Sequence, residues 1–284
     1  MKVSSKYILR VGKNMTATTY TVGNFKGGVG KTKIVTMLAF DNAVVNKKKT
    51  LVIDIDPQAN ASQILARTVD LDHIDKTIVD GINEENLSIC ITPIMENLDL
   101  IACDTSFRSF SNYVIANFED EKEQIMVLEK LLEPIKENYE TIFIDVPPTI
   151  SAYSDNAMAA SDYSIIAFQT QEESLDGIGK YVGYQKFMIN NYDIDLEVIS
   201  IIACMLEPDD DLDKSVLSEA MDLYGSAVSK NIVNFQKRLK RYSREGISLK
   251  KHRNGNYDQW DYRAHEPFIK ILAELESRRK IFEE

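Results

Sequence analysis

The glycine-rich stretch GNFKGGVGKTK, residues 23–33, constrains the fold of this chain more than any other feature. An apolar segment, TTYTVGNF, precedes the glycines, and a segment with apolar residues at helical spacing, KTKIVTMLAFDNAVV, follows them. This order predicts a strand, a loop and a helix. Gly28, Gly30, Lys31 and Thr32 stand where a phosphate-binding loop needs them, although Phe25 replaces the first glycine of the general pattern G-x-x-x-x-G-K-[ST].

Nearly continuous apolar runs, typical of buried strands, alternate along the chain with segments of helical period. After the first helix, the runs are TLVIDID, LDLIAC, TIFIDV, YSIIAFQT and DLEVISIIACML. The predicted helices cover residues 121–139, 174–190 and about 212–229. This alternation predicts an α/β fold, with a mostly parallel twisted sheet and helices on both faces.

The domain organisation is expected to be simple, because neither an internal repeat nor a Pro/Gly-rich linker interrupts the pattern. We expect one domain over residues 1–284. Within it, residues 1–15 form an N-terminal extension, and residues 230–284 form a basic segment and a C-terminal helix.

Three aspartates follow apolar strands. Asp54 and Asp56 lie in LVIDIDPQANAS, and Asp145 lies in TIFIDVPP. The carboxyl ends of parallel strands meet at one edge of a sheet, and Mg²⁺ beside a nucleotide prefers oxygen ligands there. A single aspartate at a strand end is usually a turn or cap residue. Three of them beside the glycine loop instead predict a nucleotide and Mg²⁺ site.

The segment KGGVGKT, residues 26–32, resembles the deviant Walker A motif of the ParA/MinD family of ATPases, whose signature residue is the first lysine. DIDPQANA, residues 54–61, is similar to the second motif of that family, and looser matches extend over residues 20–206. The resemblance implies a P-loop NTPase-like fold and Mg²⁺-dependent hydrolysis of ATP. It also implies nucleotide contacts from the loop residues Lys26, Gly27, Gly28, Val29, Gly30, Lys31, Thr32 and Lys33.

The same resemblance implies roles for individual side chains. Lys26 would cross the interface of an ATP-dependent homodimer and touch the phosphates bound by the other subunit, and Asp56 would position the attacking water. Thr32, Asp54 and Asp145 would serve Mg²⁺, the two carboxylates acting through its waters.

Two residues depart from the family pattern. Lys33 occupies a position where a Thr or Ser hydroxyl usually contacts the α-phosphate, so that contact is in doubt. Val146 replaces a Thr or another small polar residue before the double proline, a change that is not expected to remove Mg²⁺ binding.

A basic segment interrupts an otherwise acidic chain with a net charge of −11. Residues 230–253 contain nine lysines and arginines and a single acid, Glu245. Such asymmetry indicates an anionic partner, and contacts to DNA phosphates need no particular base sequence. A solvated helix face is the alternative interpretation. The candidate DNA-binding residues are Lys237, Arg238, Lys240, Arg241 and Arg244.

The branch of the family is inferred from the cysteines, the tail and the basic segment, and the basic segment decides it. The spacing of Cys90, Cys103 and Cys204 disfavours the iron–sulfur branches, and we interpret the apolar stripe of the C-terminal helix as core. We therefore expect a small ParA-type partition ATPase that binds non-specific DNA and a ParB-like centromere-binding partner. Signal-peptide and membrane-spanning patterns are absent, so a cytoplasmic protein is expected. The ParA-type resemblance further implies nucleoid association without membrane contact.

Two alternatives remain open from the sequence. One is a membrane-associated, MinD-like ATPase that positions cell division. The other is a nucleotide-binding scaffold that does not hydrolyse ATP.

Overall fold

The computed structural model describes residues 16–170, 172–251 and 255–283. The expected N-terminal extension at residues 1–15 lies outside the described residues, as does Arg253 of the basic segment.

In the part of the chain that the structure describes, eight strands form one sheet in the order β3-β4-β2-β5-β1-β6-β7-β8. Neighbouring strands are parallel except for the antiparallel pair β3–β4 at one edge. The α/β class with a mostly parallel sheet is therefore confirmed. The strands are β1 (Thr18–Gly23), β2 (Thr50–Asp54), β3 (Ile91–Met95), β4 (Leu98–Ile101), β5 (Thr141–Asp145), β6 (Tyr163–Gln169), β7 (Glu197–Leu206) and β8 (Val233–Asn234).

Helices cover both faces of this sheet. In chain order they are α1 (Lys31–Val44), α2 (Asn60–Thr68), α3 (Ile78–Asn83), α4 (Phe110–Asn117), α5 (Glu121–Ile125), α6 (Val127–Leu132), α7 (Ala152–Ala160), α8 (Glu172–Tyr192), α9 (Asp211–Tyr224), α10 (Lys237–Glu245) and α11 (Gln259–Glu283).

The strands are buried on both sides, which explains their continuous apolar sequences. On β2, Leu51 and Ile53 pack into the core cluster that holds α4, α6 and α7. Val52, between them, points to the opposite face and joins the cluster of α1, α2, α10 and α11. This period of two places apolar side chains in a core on each face.

The single helix predicted over residues 121–139 is wrong, because α5 and α6 are separated after Ile125 and a 3-10 helix, Glu133–Asn138, follows α6. Asn156 of α7 inserts its amide at the break. Its Oδ1 accepts from the Leu128 N–H (3.0 Å) and its Nδ2 donates to the Gln124 carbonyl (2.9 Å). These two groups would otherwise bond to each other along a continuous helix, so the inserted side chain separates α5 from α6.

The carboxyl ends of β1, β2 and β5 lie side by side. Asp54, the last residue of β2, is in register with Asp145, the last residue of β5, and Asp145 is also in register with Val22 of β1. The sheet order thus brings two of the predicted Mg²⁺ residues next to the glycine loop that follows β1.

Candidate nucleotide site and basic helix

The loop between β1 and α1 depends on two glycines with left-handed backbone. Gly28 has φ of 77° and Gly30 has φ of 97°, values that side chains with a Cβ rarely adopt. A Cβ built on Gly28 would meet no atom within 4 Å, so its space is open. Gly30 then caps the first turn of α1, where free N–H groups and the helix dipole favour an anion.

Phe25, which replaces the usual first glycine, anchors the loop to α8. Its ring lies 5.0 Å from that of Tyr181 and 5.5 Å from that of Tyr184, measured between centroids. Tyr181 also explains the glycine at the end of β1, because a Cβ on Gly23 would lie 1.9 Å from the Tyr181 hydroxyl. The packing of Phe25 against these two rings thus fixes the start of the loop on α8.

Asn24 and Lys31 fix the path of the loop. The Asn24 amide donates to the Ala167 carbonyl of β6 (2.7 Å) and accepts from the Lys26 N–H (2.9 Å). The Lys31 ammonium donates to the carbonyls of Asn24 (3.0 Å) and Lys26 (3.2 Å). Burial lowers the pKa of Lys31, and Asp145 acts against that shift. A buried lysine stretched beneath the loop is suited to reach phosphates held above it.

The carboxylate of Asp145 is buried close to Lys31 and Thr32 of the loop. Neither of its carboxylate oxygens makes a hydrogen bond within the part of the chain that the structure describes, although the residue is fully buried. Burial, followed by the charge of Asp54, raises the pKa of Asp145 well above the ordinary value. The nearby Thr32 hydroxyl lowers it without making a standard hydrogen bond. Orphaned buried carboxylate oxygens beside a hydroxyl fit a hydrated Mg²⁺.

Asp54 is held more firmly. Its Oδ2 accepts from both the N–H and the hydroxyl of Ser62 (2.8 Å each), and its Oδ1 accepts from the Asp56 N–H (3.1 Å). Burial raises its pKa to about 6. The Ser62 hydroxyl in turn accepts from the Cys103 N–H (2.9 Å). The sequence motifs alone do not single out Ser62, whose position eight residues after Asp54 is the only signal.

Asp56 adjoins Asp54, to which its N–H donates, and is 8% exposed. Its Oδ1 accepts from the Gln58 N–H (2.9 Å), which leaves the second oxygen for other partners such as water. Among the described residues, no three His, Cys, Asp or Glu side chains could hold a metal by themselves. The donor set therefore suits an ion that keeps several waters and binds phosphate oxygens.

Lys33 points away from the loop. Its ammonium donates to the Leu239 carbonyl and to the Ser243 hydroxyl (2.5 Å), both on α10. Burial lowers its pKa to about 8. The structure thus joins Lys26, Lys31, Thr32, Asp54, Asp56 and Asp145 around the glycine loop, but it places the Lys33 side chain against the basic helix.

Helix α10 presents a cationic face to solvent. Its buried side carries Leu239 and Tyr242. The residues at helical spacing on the opposite side are exposed and have no ion pair within the described residues, and they are Lys237, Lys240, Arg241 and Arg244. Arg238 is different from the other candidates, because it pairs with Asp258 and Asp261 (2.8 Å each). The Arg238 guanidinium is therefore paired within the protein and is not available to DNA phosphates.

The C-terminal helix contributes to the core, as the sequence predicts. Phe268, Ile271, Leu272 and Leu275 are buried in the cluster that also contains α1. Within the described residues, no helix combines the length and apolarity needed to cross a membrane. The three cysteines are buried free thiols.

Comparison with known proteins agrees with this geometry. Residues 17–198 match the family described as AAA domain, which covers more than half of the chain. The sporulation initiation inhibitor protein Soj of Bacillus subtilis is 27% identical over 220 residues, which are 77% of this chain and 84% of Soj. The virulence plasmid ParA family protein pGP5-D of Chlamydia psittaci is 31% identical over 171 residues, which are 60% of this chain and 64% of that protein.

A similar fold is found in a solved structure. The plasmid partition protein from Borrelia burgdorferi B31, bound to AMPPNP, superposes with a TM-score of 0.72. The match covers 91% of this chain and 99% of the Borrelia chain at 20% identity, so it bears on the fold alone.

Proposed function

We propose a detailed function for this chain from one premise: it belongs to the AAA domain family and is a partition ATPase of the ParA/MinD type. In this proposal ATP joins two subunits into a homodimer, and the dimer binds DNA without sequence preference. A ParB-like centromere-binding protein then stimulates hydrolysis and release. The single-domain organisation and a cytoplasmic, nucleoid-associated location belong to the same proposal.

Bound Mg·ATP would supply the γ-phosphoryl group that water attacks. The residues present fit that group, because the open glycine loop and the orphaned oxygens of Asp145 provide donors and acceptors where phosphates and a hydrated ion require them. In this chain, Lys31 would hold the phosphates, and Thr32 and Asp145 would orient the hydrated ion. Asp54, fixed by Ser62, would orient the waters on its other side.

Asp56 and Lys26 would carry the catalytic step. The free oxygen of Asp56 can accept a hydrogen bond from the attacking water and orient it. Lys26 would reach the phosphates of the partner subunit's nucleotide and stabilise the negative charge that develops there. Dimerisation would then depend on ATP, because each nucleotide lies between the two chains.

The observation that carries the DNA part of the proposal is the exposed face of α10. Four cations are aligned at spacings of three and four residues, and none has a carboxylate partner within the described residues. A solvated face of ordinary composition would alternate its charges. An unbalanced cationic stripe on a chain of net charge −11 is suited to phosphates.

Salt dependence tests this assignment. Substituting Lys237, Lys240, Arg241 and Arg244 with Gln should reduce the slope of log affinity against log salt by about 3.6 per subunit, since each phosphate contact contributes about 0.9. Affinity for any duplex should fall by orders of magnitude with ATP present. Retention of wild-type DNA binding at moderate salt would show that the face is only solvated.

The arginines of α10 offer a matched control with the same change of charge. Arg241→Gln should lower the salt slope by about 0.9, because Arg241 is exposed. Arg238→Gln should leave that slope near the wild-type value, because Arg238 is paired with Asp258 and Asp261. Equal losses from both variants would mean that net charge, rather than the helix face, determines binding.

Dimerisation is tested separately. Lys26→Ala should bind ATP in calorimetry but should neither hydrolyse it nor form the full ATP-dependent dimer in sedimentation. Wild-type dimers together with wild-type turnover would remove Lys26 from the interface.

A further inference from the structure

The ammonium of Lys33 joins the nucleotide loop to the basic helix. Lys33 lies on the first turn of α1, next to Thr32 and two residues after Lys31. Its hydrogen bonds to the Leu239 carbonyl and the Ser243 hydroxyl link residues more than 200 positions apart in sequence. Both of these acceptors belong to α10. Within the described ranges, no carboxylate forms an ion pair with the Lys33 ammonium.

A second connection joins α10 to the other side of the site. Arg67, near the end of α2, donates to the Ser243 carbonyl (3.0 Å), and the Ile247 N–H donates to the Thr68 hydroxyl (2.9 Å). Helix α2 begins near Ser62, which holds Asp54. Its far end is pressed against the chain after α10, where a Cβ on Gly246 would lie 2.5 Å from the Arg67 carbonyl.

The basic helix therefore rests on two elements that both begin at the nucleotide site. Anions bound at the N-terminus of α1 would order its first turn, which carries Lys33, and an ordered first turn fixes the base of that side chain. Ser243 accepts hydrogen bonds from both elements, through its hydroxyl from Lys33 and through its carbonyl from Arg67. A shift of either element would be transmitted to the same turn of α10.

We propose that Lys33 couples the nucleotide state of the loop to the placement of the cationic face of α10, and so makes DNA affinity depend on bound ATP. This inference rests on the proposed function. Lys33 acts as a positioning residue, because its ammonium contacts α10 in place of a nucleotide. A residue that departs from the family pattern at the phosphate site thereby gains a role in control of the DNA surface.

The test compares two Lys→Met variants that remove the same charge. For each protein, affinity for a random-sequence duplex is measured with ATP and without nucleotide, and the ratio gives the coupling. Wild-type coupling of at least about 5-fold is expected. Lys33→Met should lower that ratio by about 3-fold or more, to the part that ATP-dependent dimerisation alone supplies. Lys240→Met, on the exposed face, should weaken DNA binding in both states and retain a clearly larger ratio than Lys33→Met.

Thermodynamic linkage provides a second measurement of the coupling between ATP and DNA. DNA must strengthen ATP binding by the same factor by which ATP strengthens DNA binding, so both factors should fall together in Lys33→Met. Sedimentation must show that Lys33→Met still dimerises with ATP. A lost ratio that only follows a lost dimer would overturn the assignment, as would a wild-type ratio in Lys33→Met. Wild-type protein that binds DNA equally in both states would overturn the proposed function as well.

A measurement without DNA separates the two proposals. Hydrogen exchange of the α10 amides should change on addition of ATP in the wild-type protein and in Lys240→Met, but not in Lys33→Met. Ser243→Ala, which removes only one acceptor, should give an intermediate response and guards against a folding defect in Lys33→Met. An ATP response of α10 that is the same in all four proteins would contradict the role of Lys33.

Discussion

At the residue scale, Ser62 would influence the proposed Mg²⁺ site without contacting the ion, because it holds the carboxylate of Asp54. Both of its donors, the N–H and the hydroxyl, converge on one oxygen of Asp54, and the hydroxyl also accepts from the Cys103 N–H. Such partners orient carboxylates that act on a metal or its waters. The buried Asp54 has few other groups to fix its direction.

Ser62→Ala should therefore raise the Mg²⁺ concentration that gives half-maximal ATPase activity by about 10- to 100-fold, the usual cost of removing such a partner. Ser62→Thr retains the hydroxyl and should recover most of the Mg²⁺ response. A Mg²⁺ dependence that is unchanged in the alanine variant would show that Asp54 does not serve the ion.

Asp56 is proposed to act on a different step, the positioning of the attacking water. Asp56→Ala should bind ATP and dimerise, while single-turnover hydrolysis slows by about 100-fold or more, since positioned proton acceptors usually contribute that much. The expected product is a long-lived dimer. Turnover within about twofold of wild type would assign the water-positioning role to another residue.

Sequence predicts where the glycine loop lies between its strand and its helix, because the pattern that defines it is local. It does not predict that Arg238 forms ion pairs with Asp258 and Asp261, or that Lys33 forms hydrogen bonds with α10. These contacts join distant segments, and a list of cations cannot show which are already paired. The structure is needed to divide the basic segment into an exposed stripe and an internal ion pair.

At the scale of elements, helix α11 is fastened to α1 by a buried pair. His265 and Asp41 are fully buried and lie 2.5 Å apart through Nδ1 and Oδ1, while the other ring nitrogen of His265 faces the Ser248 carbonyl at 3.0 Å. Both ring nitrogens thus face acceptors. One proton must lie between the ring and Asp41, and another on the nitrogen that donates to Ser248.

His265→Ala should lower the free energy of unfolding by about 3–5 kcal/mol, because it leaves Asp41 buried without its partner. The matched comparison is Lys48→Ala, which breaks a half-exposed ion pair with Glu276 of the same helix and should cost less than about 1 kcal/mol. Chemical denaturation measures both. Similar losses would show that the buried pair does not fasten the helix.

The elements that sequence predicts are the long helices and the strands buried on both faces, since continuous apolar runs and helical periods are strong signals. Strand β3 escapes prediction because it lies at a sheet edge, contains Pro93 and is only partly buried. The break between α5 and α6 also escapes, since it is caused by Asn156, some thirty residues further along the chain. Local pattern cannot report an insertion from a distant side chain.

At the scale of the whole molecule, charge is distributed unevenly. The chain is acidic overall, yet the exposed face of α10 is cationic and rests on the elements that begin at the nucleotide site. An acidic surface elsewhere would repel DNA from other orientations and leave this face as the attractive one. In this proposal, DNA binding and ATP hydrolysis are linked through helices that pack on the same sheet.

The central claim, that this ATPase holds DNA in its ATP state, is tested most directly by one titration. Fluorescence anisotropy of a random-sequence duplex at moderate salt would be followed with ATP, with ADP and without nucleotide. The wild-type protein should bind tightly only with ATP, and Lys31→Ala should bind weakly in all three conditions because it cannot hold the phosphates. Equal DNA affinity in all three conditions, or tight binding by Lys31→Ala, would contradict the claim.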